Sequence, residues 1–269
     1  LIAPDWMATS QLELHLTNLS VVRNAESGAG MSGSGVSGSG VSGSGVSGSG
    51  VSGAGVSGAG VSGAGVSGSS ESGCVVVDAV VRRAGRSTVV LDASLSSTGQ
   101  GTGSLGDARL TFVRLPRRDG NLAIADAPAP SGERVSMALD DSALSDPYAR
   151  AIGIRDVATA PGEVELVVSP FVQNSFGAVN GGVVASLAST AAARAASVEI
   201  GGDAVALDVA VTYLAQGRVG PLRANATVLR RTGPTVLCRV EVTDPGQRDH
   251  TGDRVLVVAH VLCASAAEV

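Results

Sequence analysis

The sequence that decides the fold lies at residues 174–198 and reads NSFGAVNGGVVASLASTAAARAASV. Glycine and polar residues dominate its beginning, and from Val183 to Val198 nearly every position is small or apolar. Apolar residues on almost every face indicate a helix that is buried all round. Asn180 suits the N-cap of this helix, because asparagine is a preferred cap residue. The stretch therefore predicts a glycine-rich turn that leads into a long, buried helix.

Alternating segments on both sides of this helix are typical of antiparallel strands. Behind it these segments are 207–213, 224–233, 235–237 and 255–260, with an Arg-Arg-Thr-Gly turn before residue 235. In front of it Glu163–Val168 predicts another strand, and Asp146-Pro147 predicts the start of a short helix through Ile152. Together they predict an α+β fold in which a strongly curved antiparallel sheet wraps around the long helix.

The first half of the chain repeats this order of strands. Segments 77–85 and 87–91 flank an Arg-Arg-Ala-Gly turn, segment 10–16 parallels 207–213, and segment 108–113 parallels 255–260. The first half lacks the helix and the strand before it. We therefore expect two unequal repeats that pair within the chain. Residues 1–115 form a partial unit, residues 116–146 a linker with proline and charge, and residues 147–269 a complete unit.

A pentad tract interrupts the first unit. Residues 28–73 contain 18 of the 37 glycines, mostly in repeats of VSGSG and VSGAG. Such a segment cannot bury enough apolar area to offset chain entropy, which predicts a disordered, low-complexity insertion between the first two strands. Its GxGxxG spacings, as at Gly28, Gly30 and Gly33, lack the strand and helix that a dinucleotide site needs.

Composition excludes several classes of function. The net charge is −5, and the 19 basic residues are all Arg, which argues against the clustered basic surface of a nucleic-acid-binding protein. Arg194 breaks the longest apolar stretch, so no membrane span is expected. Three cysteines without a CxxC, and no secretory signal at the start, favour reduced thiols, no metal site and a cytoplasmic location.

The segment 174–182, followed by the apolar helix, resembles the hotdog-fold acyl-CoA thioesterases, the superfamily of the phenylacetate-pathway and 4-hydroxybenzoyl-CoA enzymes. Members read N-x-x-G-x-x-H/N/Q-G-G here and carry one carboxylate on the helix, and the strand Val209–Leu214 is also similar. The resemblance implies a hotdog fold in tandem, with an incomplete first unit. It also implies hydrolysis of an acyl-CoA thioester to the free acid and CoA, with no cofactor.

The resemblance implies a site at the start of the helix. Gly181 would donate its N–H to the developing oxyanion, helped by the helix dipole. Gly182 would leave room for the acyl chain, and Asn174 would position the carbonyl or the attacking water. Phe176 borders this site. Asn180 is either a substrate contact or only an N-cap.

The acidic position of the family is Ser189 in this chain, and residues 177–198 contain no Asp or Glu. A serine without a partner is a poor base at neutral pH, and a small core residue is its commoner role. The alternative function is therefore a non-catalytic acyl-CoA-binding or structural hotdog protein that has lost its carboxylate. A hydratase is less favoured, because no Asp-x4-His pair opens the helix.

Hotdog sites form between two units, which implies further contacts. Thr9 and Ser10 of the first unit would face the Ser189 helix. Asp208 would face the reciprocal site, which would use the helix that the first half lacks. Arg230 and Arg231 would meet the phosphates of CoA, since Arg suits phosphate, or would be solvated turn residues. A sheet without its own helix would expose an apolar face, so we also expect a homo-oligomer.

Overall fold

The structure is a computed structural model that describes residues 6–17, 74–98, 103–115, 148–157, 160–174, 176–249 and 252–267. The predictions for the pentad tract and the linker lie outside these residues, as does His250. The strands are β1 Trp6–Leu16, β2 Cys74–Ala84, β3 Thr88–Thr98, β4 Gly103–Leu115, β5 Ile154–Asp156, β6 Glu163–Leu166, β7 Ala204–Tyr213, β8 Leu222–Thr232, β9 Thr235–Asp249 and β10 Gly252–Ser265. The helices are α1 Tyr148–Ala151 and α2 Gly181–Ile200, and Pro170–Val172 forms a 3-10 turn.

All ten strands form one sheet in the order β2-β3-β4-β1-β7-β10-β9-β8-β6-β5. The first four strands and the last six meet at β1 and β7, which pair antiparallel from Gln11–Thr212 to His15–Asp208. Outward from this seam the order is β1-β4-β3-β2 on one side and β7-β10-β9-β8 on the other. The strands at equal distance from the seam are those whose sequences match between the two halves of the chain. The order is compatible with an internal repeat, which stays a prediction.

The predicted Arg-Arg-x-Gly turns do join neighbouring strands. Gly233 follows β8 with a φ of +58°, a left-handed conformation that glycine adopts without steric cost. In the first half, Gly85 donates its N–H to the Thr88 carbonyl at 2.8 Å, which closes the turn between β2 and β3. The same local sequence therefore gives a hairpin in both halves.

Helix α2 packs against β6 to β10 and forms the main core with them. Its nine buried residues are Val183, Val184, Ala185, Leu187, Ala188, Ala191, Ala192, Ala195 and Ala196. By length and composition this helix could cross a membrane, but half of its apolar window is buried inside the protein.

The prediction of a helix buried all round is wrong. A stripe along α2 is only half-buried, at Gly182, Ser186, Ser189, Thr190, Ala193 and Ser197. Beside it Arg194 is exposed and bonds Asp156 at 2.9 Å. The described strands cover only part of the helix circumference, and small residues fill the remainder.

The apolar face of the first half forms a second cluster of buried side chains. It contains Val89, Leu91, Ala93, Leu95, Leu105, Ala108, Leu110 and Phe112. Leu12 and Leu14 of β1 pack against this cluster and also against the core around α2. The two cores are therefore continuous across the seam, and the expected exposed apolar face is not found at these residues.

Candidate active site

The turn that leads to α2 is organised by Asn174. Its side-chain Oδ1 accepts hydrogen bonds from the backbone N–H groups of Phe176 at 2.9 Å and Ala178 at 3.2 Å. Its own N–H donates to the Ala178 carbonyl at 2.7 Å, and its carbonyl accepts from Gly177. An asparagine that bonds backbone groups two residues ahead is a common turn former. Asn174 thus shapes the turn, and a contact with substrate through its amide nitrogen stays a prediction.

The N-terminus of α2 combines a cap with two available donors. Asn180 is the N-cap, and its Oδ1 accepts a hydrogen bond from Gly182 N at 2.9 Å. The structure thus shows the cap role of Asn180, and shows that the Gly182 N–H is already used. Within the described residues, the N–H groups of Gly181 and Val183 have no acceptor. A helix start with unpaired N–H groups is suited to binding an anion.

Tyr213, at the end of β7, fixes the first residue of the helix. Its hydroxyl donates to the Gly181 carbonyl at 2.9 Å, and burial raises the pKa of this phenol. A Cβ added to Gly181 would lie 3.5 Å from the Tyr213 ring, an ordinary contact distance. The role of Tyr213 is not predictable from the local sequence pattern. The sequence indicates only that an aromatic residue ends a strand that resembles the thioesterases, and not that its hydroxyl bonds to Gly181.

The structure places Thr9 and Ser10 close to this point. Pairing of β1 with β7 ends at Gln11 and Thr212, one residue before Ser10 and Tyr213. Ser10 forms a bulge in β1, and its hydroxyl donates to the Thr111 carbonyl at 3.0 Å. Thr9 is half-buried next to it. The seam therefore places the start of β1 next to the end of β7, and the contact of Thr9 with the Ser189 helix stays a prediction.

Ser189 lies too far from Gly181 to act on the same carbonyl. Eight residues of helix separate them, or about 12 Å along the axis. The Ser189 hydroxyl donates to the Ala185 carbonyl at 2.9 Å, and Ser186 and Thr190 bond back in the same way to the residues four positions earlier. The structure thus does not bring together these two predicted catalytic residues of one helix.

Asp208 lies on the face of the sheet opposite to α2. Its neighbour Val209 is buried in the core around the helix, and successive side chains of a strand point to opposite faces. Asp208 bonds His15 Nδ1 at 2.8 Å, and both side chains are more than two-fifths exposed. The expectation that Asp208 faces a helix-side site is therefore corrected.

Arg230 and Arg231 lie at the other end of the helix. Arg231 donates to the Glu199 carbonyl and to the Gly233 carbonyl. Glu199 is 18 residues beyond Gly181, which is about 27 Å along the helix axis. An arginine at this position satisfies carbonyl groups of the last turn. Arg231 thus serves as a cap of the helix C-terminus, and the contact of this pair with the phosphates of CoA stays a prediction.

Within the part of the chain that the structure describes, the remaining nucleophiles and possible metal ligands do not form a second centre. Cys238 and Cys263 are buried free thiols, and burial raises the pKa of both. A thiol with a raised pKa is a poor nucleophile. Among the residues that the structure describes, no group of three or more His, Cys, Asp or Glu is arranged to hold a metal ion.

The His15–Asp208 pair predicts a pH dependence of stability. The hydrogen bond that the His15 ring donates to the Asp208 carboxylate raises the pKa of His15, with further contributions from the charges of Asp208, Asp107 and Glu13. A raised pKa means that the pair stabilises the fold fully below the unfolded pKa of about 6.5 and loses this effect as the pH rises through the folded pKa. We expect His15→Gln to lower Tm more at pH ~5.5 than at pH ~8.5.

Thermal unfolding of the wild type and His15→Gln across this pH range measures the difference. His260→Gln is the control, because His260 is exposed on β10 and forms no ion pair with a described residue. This variant makes the same chemical change without removing an ion pair between described residues. A His15→Gln effect of equal size at both pH values would contradict a stabilising pair.

Comparison with known proteins shows which proteins the segment around this site resembles. Residues 176–250 match the family model described as the thioesterase superfamily. This segment includes the Phe176 turn, the N-terminus of α2 and the strand of Tyr213. The resemblance found in the sequence is thereby confirmed for the second half, and the fold is a hotdog fold of the α+β class.

Similar solved structures cover mainly one half of the chain. The PaaI protein of the E. coli phenylacetic acid degradation operon is 25% identical, covers 45% of this chain and 84% of its own, and has a TM-score of 0.39. The TT0310 protein from Thermus thermophilus is 28% identical over 45% of this chain and 97% of its own, with a TM-score of 0.38. An acyl-CoA hydrolase from Agrobacterium tumefaciens is 17% identical over 72% of this chain and 70% of its own, with a TM-score of 0.36. No curated protein matches the sequence.

Proposed function

We propose that this protein binds an acyl-CoA thioester at the N-terminus of α2 and hydrolyses it to the free acid and CoA. The observation that carries the proposal is the Gly181 N–H, which has no acceptor within the described residues and stands at a helix N-terminus inside a thioesterase-superfamily segment. A fixed N–H in this position would stabilise the oxyanion of the tetrahedral intermediate. Such a donor contributes about 10²- to 10³-fold to the rate.

The proposed reaction lacks a base on the helix. The first carboxylate of α2 is Glu199, in its last turn, and Ser189 already donates to Ala185. A positioned general base contributes about 10²- to 10⁴-fold. We therefore expect slow hydrolysis, in which water attacks a carbonyl that is polarised by Gly181 without strong activation of the water itself.

The same missing carboxylate favours a second candidate function. A hotdog protein with an intact donor at the helix start and no base could bind acyl-CoA without cleaving it. The Gly181 N–H and the Asn180 cap would then contribute to the binding of acyl-CoA and not to its hydrolysis. The two functions share a ligand and differ only in turnover.

Hydrolysis and binding of acyl-CoA, measured separately, distinguish these functions. The purified full chain is offered short-chain, long-chain and aromatic acyl-CoAs, and the release of free CoA thiol is followed with a disulfide reagent. Affinity for the same compounds is measured by calorimetry. Turnover above the protein-free rate supports the hydrolase, binding without turnover supports the alternative, and absence of both contradicts the two functions together.

A further inference from the structure

Asp244 is a fully buried carboxylate on β9 with an unusual number of donors. Its two oxygens accept hydrogen bonds from backbone N–H groups of one loop and from its own turn. The donors are Arg218 N at 3.0 Å, Val219 N at 3.1 Å, Gly220 N at 2.8 Å, Gly246 N at 3.1 Å and Gln247 Nε2 at 2.6 Å. Burial alone would raise the pKa of Asp244, but the hydrogen bonds outweigh it and hold this pKa below its usual range. The carboxylate is therefore charged and fully satisfied by its surroundings.

The loop that Asp244 holds lies between β7 and β8, at residues 217–220. Three consecutive N–H groups point to one carboxylate, which fixes the path of this backbone. Gly246 lets the two segments approach, because a Cβ at this position would lie 2.5 Å from Val219 and 2.8 Å from the Gly220 carbonyl. The loop and the turn of Asp244 therefore form one rigid unit.

This unit bonds directly to the backbone that precedes α2. The Gly217 carbonyl accepts a hydrogen bond from Val179 N at 2.8 Å. The Arg218 guanidinium donates from Nη1 to the Phe176 carbonyl at 2.6 Å. Both contacts fall on residues 176–179, just before the cap and Gly181. The opposite side of this segment is held by Asn180 N, which donates to the Val172 carbonyl at 2.9 Å.

We propose that Asp244 is a positioning residue for the candidate active site, which sets the place of the Gly181 N–H through the loop 217–220. The inference rests on the proposed function, since it concerns the donor that would bind the thioester carbonyl. Asp244 touches neither substrate nor reacting atoms. Its action passes through two hydrogen bonds, Val179 to Gly217 and Arg218 to Phe176.

Asp244→Asn tests this role, because it removes the charge and leaves one good acceptor for five donors. The amides of residues 176–184 should exchange hydrogen at least about tenfold faster than in the wild type, since local opening becomes easier. The kcat for thioester hydrolysis should fall about tenfold to a hundredfold, as expected for a misplaced donor. KM should change by less than about threefold, because the loss concerns the transition state.

Two further variants separate positioning from general stability. Val236→Ala removes buried volume at the start of β9, near the C-terminal end of α2, and should lower Tm while leaving exchange at 176–184 and kcat within about twofold of the wild type. Arg218→Ala removes the exposed side chain that bonds Phe176 and keeps the backbone bond to Asp244. It should fold normally and show a smaller increase in exchange at the same amides.

Several outcomes would overturn the inference. The first is an Asp244→Asn variant whose amides exchange hydrogen faster than in the wild type at residues 216–221 and 244–247 but at the same rate at residues 176–184. Another is an equal loss of kcat in Val236→Ala, which would show an effect of stability alone. Unchanged hydrogen exchange at residues 176–184 in Arg218→Ala would show that the Arg218–Phe176 hydrogen bond does not transmit the effect of Asp244. A wild type without hydrolysis would contradict the proposed function, whereas the exchange comparison would still decide the positioning role.

Discussion

Replacing Gly181 by proline should abolish most thioester hydrolysis and leave the fold intact. Proline lacks the backbone N–H that would stabilise the oxyanion, and in the wild type this N–H of Gly181 has no acceptor within the described residues. The first helical position tolerates proline. Asn180 already has a ψ of 135°, the conformation that a residue before proline prefers. We expect a loss of about 10²- to 10³-fold in kcat, the effect of deleting one oxyanion donor.

Gly181→Ala is the matched control for this variant. It keeps the N–H, and its added Cβ would meet the Tyr213 ring at 3.5 Å without a clash. Steady-state kinetics on the best acyl-CoA and a thermal unfolding curve are measured for both variants. Similar kcat values in the two variants, with similar Tm, would show that the Gly181 N–H does not stabilise the reaction.

Leu187→Ala should cause the largest loss of stability among single truncations on the helix. Leu187 is completely buried in the core between α2 and the sheet. Truncation of such a leucine removes apolar contact and leaves a cavity, which costs about 2–5 kcal/mol. The free energy of unfolding, measured with chemical denaturant, should fall by this amount. Leu187 lies within two turns of Gly181, so activity of the remaining folded protein should also be recorded.

Leu229→Ala makes the same chemical change at an exposed position of β8. Its side chain is 50% exposed, and its truncation should change the free energy of unfolding by less than about 0.5 kcal/mol. Equal losses in the two variants would mean that the inner face of α2 is not the centre of the core. A small loss at Leu187 alone would lead to the same conclusion.

The sequence predicted most of the elements that position the site. Alternation and the two Arg-Arg-x-Gly turns gave the hairpins, and the apolar run after Gly182 gave the long helix. These features depend on residues close together in the chain, for which periodicity and turn chemistry are informative. The N-cap at Asn180 was predictable for the same reason.

The remaining features of the site depend on contacts between distant residues. Tyr213 reaches Gly181 across 32 positions, and Asp244 reaches Gly220 across 24. In the sequence Asp244-Pro-Gly is typical of an exposed turn, yet this aspartate is fully buried. The folded sheet determines on which face of β7 Asp208 lies, and the folded helix determines how far Arg231 is from Gly181. The local sequence pattern predicts neither of these two features.

The place of β1 in the sheet has a consequence for how the chain folds. This strand leaves the ribosome about 200 residues before its second partner β7, as the Gln11–Thr212 pair shows. At a ribosomal rate of about 5–20 residues per second, β1 waits roughly 10–40 s for that partner. Closing so long a loop is entropically costly, and pairings between distant residues form slowly. During this interval one edge of β1 lacks its native neighbour, so we expect the seam to join late in folding and to be open to mispairing.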